Sequence, residues 1–84
     1  MSKYFVYILQ CADGTLYTGI TTDVDRRTEE HNTSPKGSRY TRARRPVQVV
    51  YTKKYKDRAE ASVEESRIKK LKAKQKKELC KPSE

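Results

Sequence analysis

The chain is short of several residue types: it has no tryptophan, one phenylalanine, one histidine, two cysteines, three glycines and three prolines in 84 residues. Nowhere does it carry the roughly 18 consecutive apolar residues of a membrane-spanning helix. No amphipathic stretch sets Trp, Phe and Leu opposite its lysines, so the pattern of a membrane-surface helix is missing too. Cys11 and Cys80 lie far apart and cannot form a disulfide framework; with one histidine they cannot furnish the four ligands of a structural zinc site. The apolar run from Tyr4 to Leu9 is too short for a secretory signal and no small-residue cleavage site follows, so the chain reads as cytoplasmic with free thiols. Acidic residues are also scarce, eleven against twenty Lys and Arg, for a net charge of +9.

What remains is a small, strongly basic chain. Its length fits one domain, residues 1–84, near the lower end of what folds without staples. Apolar residues are 33% and six of the seven aromatics are tyrosines, so the core must be built partly of tyrosine rings. The excess positive charge points to a polyanion partner, of which nucleic acid is the commonest; the plainer reading is a cationic but inert surface.

The first half is strand-like. Residues 4–11, rich in Tyr, Val, Ile and Phe, read as a strand, Asp13-Gly14 as a hairpin turn, and residues 15–21 as the second strand. Both faces are apolar, which predicts a sheet covered on both sides. A two-residue loop would put Gln10 opposite Tyr17 and send Tyr7 and Tyr17 to opposite faces. A three-residue loop, with Gly14 left-handed, would put Leu9 opposite Tyr17 and Tyr7 opposite Gly19, so that the tyrosines share a face. Gly19 would then leave space beside Tyr7 for a ligand. The residues alone allow either register.

A short helix follows, capped by Thr22 or Asp23 and running to about Asn32. Helical spacing puts Val24, Arg27, Thr28 and His31 on one face, and Val24 marks that face as the inward one. An inward Arg wants an anion; it either meets a ligand or pairs with Glu65 or another acid, and His31 either acts or merely packs. Residues 32–38, including Pro35, read as a loop. Arg39, Arg42, Arg44 and Arg45 form a basic segment around Tyr40, and a third strand begins at Pro46 and covers residues 47–52. From Asp57, a good cap, the pattern is helical to about Leu79, with a break near Ala73 allowed, and Pro82 ends it. Ala61, Ile68 and Leu71 form an apolar arc on which Glu64 and Glu65 intrude. A carboxylate there must be paired, protonated or bound to a metal; periodicity does not choose between the two. Beyond them lie Arg67, Lys69, Lys70 and a run of lysines ending at Lys81. These are either phosphate contacts or a solvated lysine face.

Phe5-Val6-Tyr7, Tyr17-Thr18-Gly19, Arg27, His31 and the segment Glu65-Ser66-Arg67-Ile68-Lys69 resemble, in order and spacing, the motifs of the GIY-YIG nuclease superfamily. The run from Tyr40-Thr41-Arg42 to Arg45-Pro46-Val47 resembles its small, single-domain bacterial branch. The resemblance spans residues 3 to 78. It implies an α+β fold, a three-stranded antiparallel sheet flanked by helices in the order β-β-α-β-α(-α), and hence the three-residue hairpin loop. It implies hydrolysis of phosphodiesters in nucleic acid, DNA more than RNA, with Mg²⁺ or Mn²⁺ as cofactor. Tyr7, Tyr17, Arg27, His31 and Glu65 are then the catalytic set, and Glu65, chosen over Glu64, the metal ligand. One carboxylate suits Mg²⁺, which keeps most of its waters. Either tyrosine would orient or deprotonate the attacking water, with His31 able to relay a proton. Two departures stand out: Phe5 replaces the first motif's Gly, and Ile20 stands where many active members have Lys. They leave a non-catalytic nucleic-acid-binding module, or a scaffold for a partner protein, as the alternative.

Overall fold

The computed structural model describes residues 3–34 and 36–80. Pro35 of the loop, Lys81 at the end of the lysine run and Pro82, expected to end the last helix, lie outside the described residues. Two strands open the chain: β1 (Tyr4–Gln10) and β2 (Leu16–Thr21). They are followed by α1 (Val24–Thr33), α2 (Arg39–Arg42), β3 (Gln48–Tyr55), α3 (Arg58–Lys69) and α4 (Ala73–Leu79). The sheet is antiparallel in the order β2-β1-β3. β1 takes the centre because it carries no charge and is apolar on both faces.

The three-residue loop is the one formed. Cys11 N–H donates to Thr15 O at 2.8 Å and Gly14 N–H to Cys11 O at 2.9 Å. Gly14 has φ +85°, a conformation a side chain would oppose. Leu9 therefore faces Tyr17, and Tyr7 faces Gly19.

Successive β1 residues feed two core layers. Val6 and Ile8 pack with Ala61 and Ile68 on the α3 side. Tyr7 and Leu9 pack with Cys11 and Val47 on the other side, where Val24 of α1 also lies. The second layer is smaller and holds the polar residues described below.

Both long helices begin at the expected aspartates. Asp23 Oδ1 accepts from Arg26 N–H at 3.0 Å, and Asp57 Oδ1 from Glu60 N–H at 2.9 Å. Two elements differ from expectation. The basic segment contains a short helix, α2, with Ser38 as its N-cap. β3 runs on to Tyr55 because pairing with Val6, Phe5 and Tyr4 needs only backbone; its lysines suit an exposed edge. A register shift between Ile8 and Leu9 leaves Val50 as an extra residue in β3. The final helical stretch does break, at residues 70–72, as the sequence allowed, and Leu79 of α4 packs on the same core layer as Ala61 and Ile68 of α3.

Candidate active site

Tyr7 and Tyr17 come from neighbouring strands and share the α1 side of the sheet, ring centroids 6.5 Å apart. A Cβ on Gly19 would lie 2.6 Å from Tyr7 Oη. The space expected to admit a ligand is thus filled by the Tyr7 hydroxyl itself, and glycine is required there for the tyrosine's sake. His31, one turn after Arg27 on α1, is wholly buried. Its ring stands edge-on to Tyr17 at 5.2 Å, and its Nε2 lies 2.9 Å from Tyr7 Oη. Its Nδ1 lies 2.8 Å from Thr41 Oγ1 and accepts from Ser38 N–H at 3.3 Å. Burial, helped by the charge of Arg27, pulls the imidazole pKa down to about 4, so the ring is neutral. Burial, helped by Tyr17, pushes the Tyr7 phenol up to about 12, with Arg27 opposing.

Arg27 sits at the open margin of this cluster. Its Nη1 donates to Glu30 Oε1 and to Lys36 O, each at 2.9 Å. The acid that pairs with Arg27 is therefore Glu30 on its own helix, not Glu65. On α3 the two glutamates part company. Glu64 is clamped by Arg67, whose Nε and Nη2 donate at 2.7 and 2.6 Å, and this holds its carboxyl below the usual range. Glu65 has one looser contact, Lys69 Nζ at 3.3 Å, and its charge is among those that raise the Tyr7 phenol. Ile20 packs into the apolar layer under α3. The cation beside Glu65 is Lys69.

This chain matches the GIY-YIG catalytic domain over residues 3–78. It belongs to the GIY-YIG family. Members of that nuclease family act on nucleic acid. A UPF0213 protein of Desulfotalea psychrophila is 60% identical over 96% of this chain and 74% of its own length. One from Staphylococcus aureus is 48% identical over 82% of this chain and 83% of its own. The solution structure of the UPF0213 protein BH0048 from Bacillus halodurans is similar at a TM-score of 0.59 and 45% identity, covering 92% of this chain and 81% of that one. That of EF2693 from E. faecalis reaches 0.63 at 41% identity, covering 93% and 82%.

In this GIY-YIG chain the basic residues singled out by charge have unequal employment. Arg39 and Arg42 on α2 and Lys70 after α3 are exposed, with no side-chain partner among the described residues. Arg44 lies flat on Tyr40, its Cζ 3.9 Å from the ring centroid, and donates to Asp13 Oδ2 and Tyr40 O at 3.0 Å each. Tyr40 in turn stacks on Tyr17. Arg45 is taken up by the end of α1: it donates to His31 O at 2.5 Å, Ser34 O at 2.7 Å and Glu30 O at 3.4 Å. It caps a helix and is half-buried, leaving little of it to meet a phosphate. Charge and periodicity do not single out Glu30, Ser38 or Thr41. Glu30 is legible as an i,i+3 partner of Arg27; Ser38 and Thr41 are legible as the two ends of a capping turn, but their bond to His31 is not.

Among the described residues no three His, Cys, Asp or Glu side chains gather as a metal cage. The donor chemistry fits a hard, largely hydrated ion instead. A half-buried carboxylate with one loose lysine contact is what Mg²⁺ or Mn²⁺ accepts when substrate oxygens and water complete its shell.

Proposed function

We propose that this protein is a metal-dependent endonuclease that hydrolyses phosphodiester bonds, with DNA its substrate in preference to RNA. The observation that carries the reading is the gathering of Tyr7, Tyr17, Arg27 and His31 at one margin of the sheet, within range of the Glu65 charge. Arg27 is the outermost cation of the group; its guanidinium meets the phosphate and stabilises the charge that grows on it. Tyr17 is half-buried, so its hydroxyl reaches water and substrate, and it orients the attacking water. Tyr7 lies behind, fixed by His31. Glu65 would hold the divalent ion, which when bound would polarise a phosphate oxygen. Lys69 Nζ, 3.3 Å from that carboxylate, is its one partner among the described residues. Arg39, Arg42 and Lys70 hold the nucleic acid by its backbone.

Plasmid and labelled DNA and RNA oligonucleotides, incubated with purified protein and Mg²⁺ or Mn²⁺, test this. Cleavage should appear with metal and vanish with chelator. Glu65→Gln should abolish it with nucleic-acid binding retained. Arg27→Ala should cost on the order of 10² to 10³ in rate, the range for one lost donor at a developing oxyanion. Glu64→Gln, which frees only Arg67, should cut like the parent. Absence of cleavage on every substrate with binding intact would favour the binding-module alternative, to which Ile20 already lends support.

A further inference from the structure

α2 holds a feature that the proposed chemistry does not yet use. Its N-cap, Ser38, and its only buried residue, Thr41, both turn toward one atom, His31 Nδ1. A hydroxyl can rotate to donate or accept, but a backbone amide can only donate. Ser38 N–H points at Nδ1 from 3.3 Å, so that nitrogen must offer its lone pair. Thr41 Oγ1, at 2.8 Å, then turns its single proton to the same nitrogen in preference to the other acceptor in reach, Ser38 O at 3.1 Å, and its own oxygen can accept from Ser38 Oγ, 3.0 Å away. Gly37 makes the approach possible, since a Cβ there would lie 2.7 Å from Glu30 O and 2.8 Å from His31 Cα.

We propose that Ser38 and Thr41 are positioning residues that hold His31 as the neutral Nε2–H tautomer, making it a fixed donor to Tyr7 Oη. The ring then cannot take a proton from Tyr7, because its only free lone pair faces the other way. His31 is a rigid donor, not a relay. With His31 behind it and Arg27 beside it, the Tyr7 oxygen accepts from the ring and keeps its own O–H for a partner other than His31. The low pKa of the ring fits a group that stays neutral through this. The role in turnover rests on the nuclease reading; the tautomer itself does not.

Because His31 is the only histidine, long-range ¹H–¹⁵N correlation spectra of the intact protein near neutral pH report one imidazole. The expected result is a protonated Nε2 and an unprotonated Nδ1. Thr41→Val should move Nδ1 toward its protonated shift as the tautomers mix, and Thr41→Ser should restore the parent spectrum. A parent ring protonated at Nδ1, or a Thr41→Val ring with the parent's tautomer ratio, would overturn the proposal whether or not the protein cuts anything. In cleavage assays Thr41→Val should lower kcat by roughly ten- to a hundredfold at unchanged KM, the range for partners one layer behind reacting groups, with Thr41→Ser close to the parent. If the protein cuts and Thr41→Val cuts at the parent rate, the positioning role is lost even where the tautomer holds.

Discussion

At the scale of single residues, two side chains in the site are held by burial in states they would not hold in water. His31 refuses a proton until the pH reaches about 4, whereas the unfolded chain accepts one near 6.5. Between those values the unfolded state binds a proton that the folded state lacks, so stability must fall as pH falls. The slope approaches about 1.4 kcal/mol per pH unit. Arg27 and Arg45 face the ring and deepen the effect, and Glu30 opposes it. The carboxylates held below their usual range, Asp13, Glu30 and Glu64, lose stability only further down in pH, so the upper part of the window belongs to His31. Urea midpoints at pH 7 and pH 5 should therefore differ in the parent and differ much less in His31→Gln; equal midpoints in the parent would refute this. Gly19 gives the second residue-scale test. Gly19→Ala drives a Cβ into the buried Tyr7 phenol, which has His31 and Tyr17 behind it and cannot step aside. Overpacking of this kind costs about 1–3 kcal/mol, and the variant should also lose the His31–Tyr7 bond, visible as a shift of the Nε2 resonance.

At the scale of elements, α1 depends on residues outside itself. Asp23 caps its start, Arg45 gathers its last carbonyls, and Asn32 uses its amide as a strand partner for Val47, with bonds of 2.7 and 3.0 Å. This is why a helix of mostly polar residues stands on the sheet and presents Arg27 and His31 in register. Arg42, two residues upstream of Arg44, has no such work. Arg45→Ala should lower stability by about 1.5–3 kcal/mol, the range for hydrogen bonds to a charged donor, while Arg42→Ala should stay within about 0.5 kcal/mol of the parent. The order should reverse for nucleic-acid affinity per unit of folded protein. Chemical denaturation and fluorescence anisotropy on the two variants separate the roles, and equal stability losses would show that the cap carries nothing. The hairpin, α1 and the start of α3 were legible because a turn residue or a cap marks each one. α2 was not, since a four-residue helix has no period to read, and the far half of β3 was not, since its Lys53-Lys54 pair is held by backbone pairing alone.

For the whole molecule, charge sets the encounter with a polyanion. A net charge of +9, with exposed Arg39, Arg42 and Lys70, predicts that log affinity for nucleic acid falls linearly with log salt, in proportion to the phosphates neutralised. Reversing those three residues to Glu should flatten the slope by roughly one for each phosphate that the variant no longer neutralises. Binding that ignores salt, or a triple variant with the parent slope, would remove the basic face from the interface. The two-sided core matters at this scale too. Val6 and Ile8 anchor α3 and Tyr7 and Leu9 anchor the α1 side, so the buried Tyr7 phenol feels charges from both covers of the sheet, Glu65 raising its pKa and Arg27 lowering it.

The order of the elements other than α2, the two-sided sheet and the caps at Asp23 and Asp57 were determined by the linear sequence. Each is a local matter of alternation, helical spacing or turn chemistry, which short stretches of chain carry on their own; the grouping of Tyr7, Tyr17, Arg27, His31 and Glu65 as one motif set came instead from the resemblance to a family. The choice of register between two allowed hairpins, and the division of labour among similar side chains, were decided by the tertiary structure. Nothing local says that Arg45 will cap α1 while Arg42 stays free, that Glu64 will be clamped and Glu65 left loose, or that Gly19 serves the Tyr7 hydroxyl. Those outcomes depend on which groups meet across the fold, and there burial makes an unpaired donor or acceptor too costly to leave. His31 shows both halves: its helical face could be read from spacing, but the partners of its two nitrogens come from a strand and a turn that only folding brings beside it.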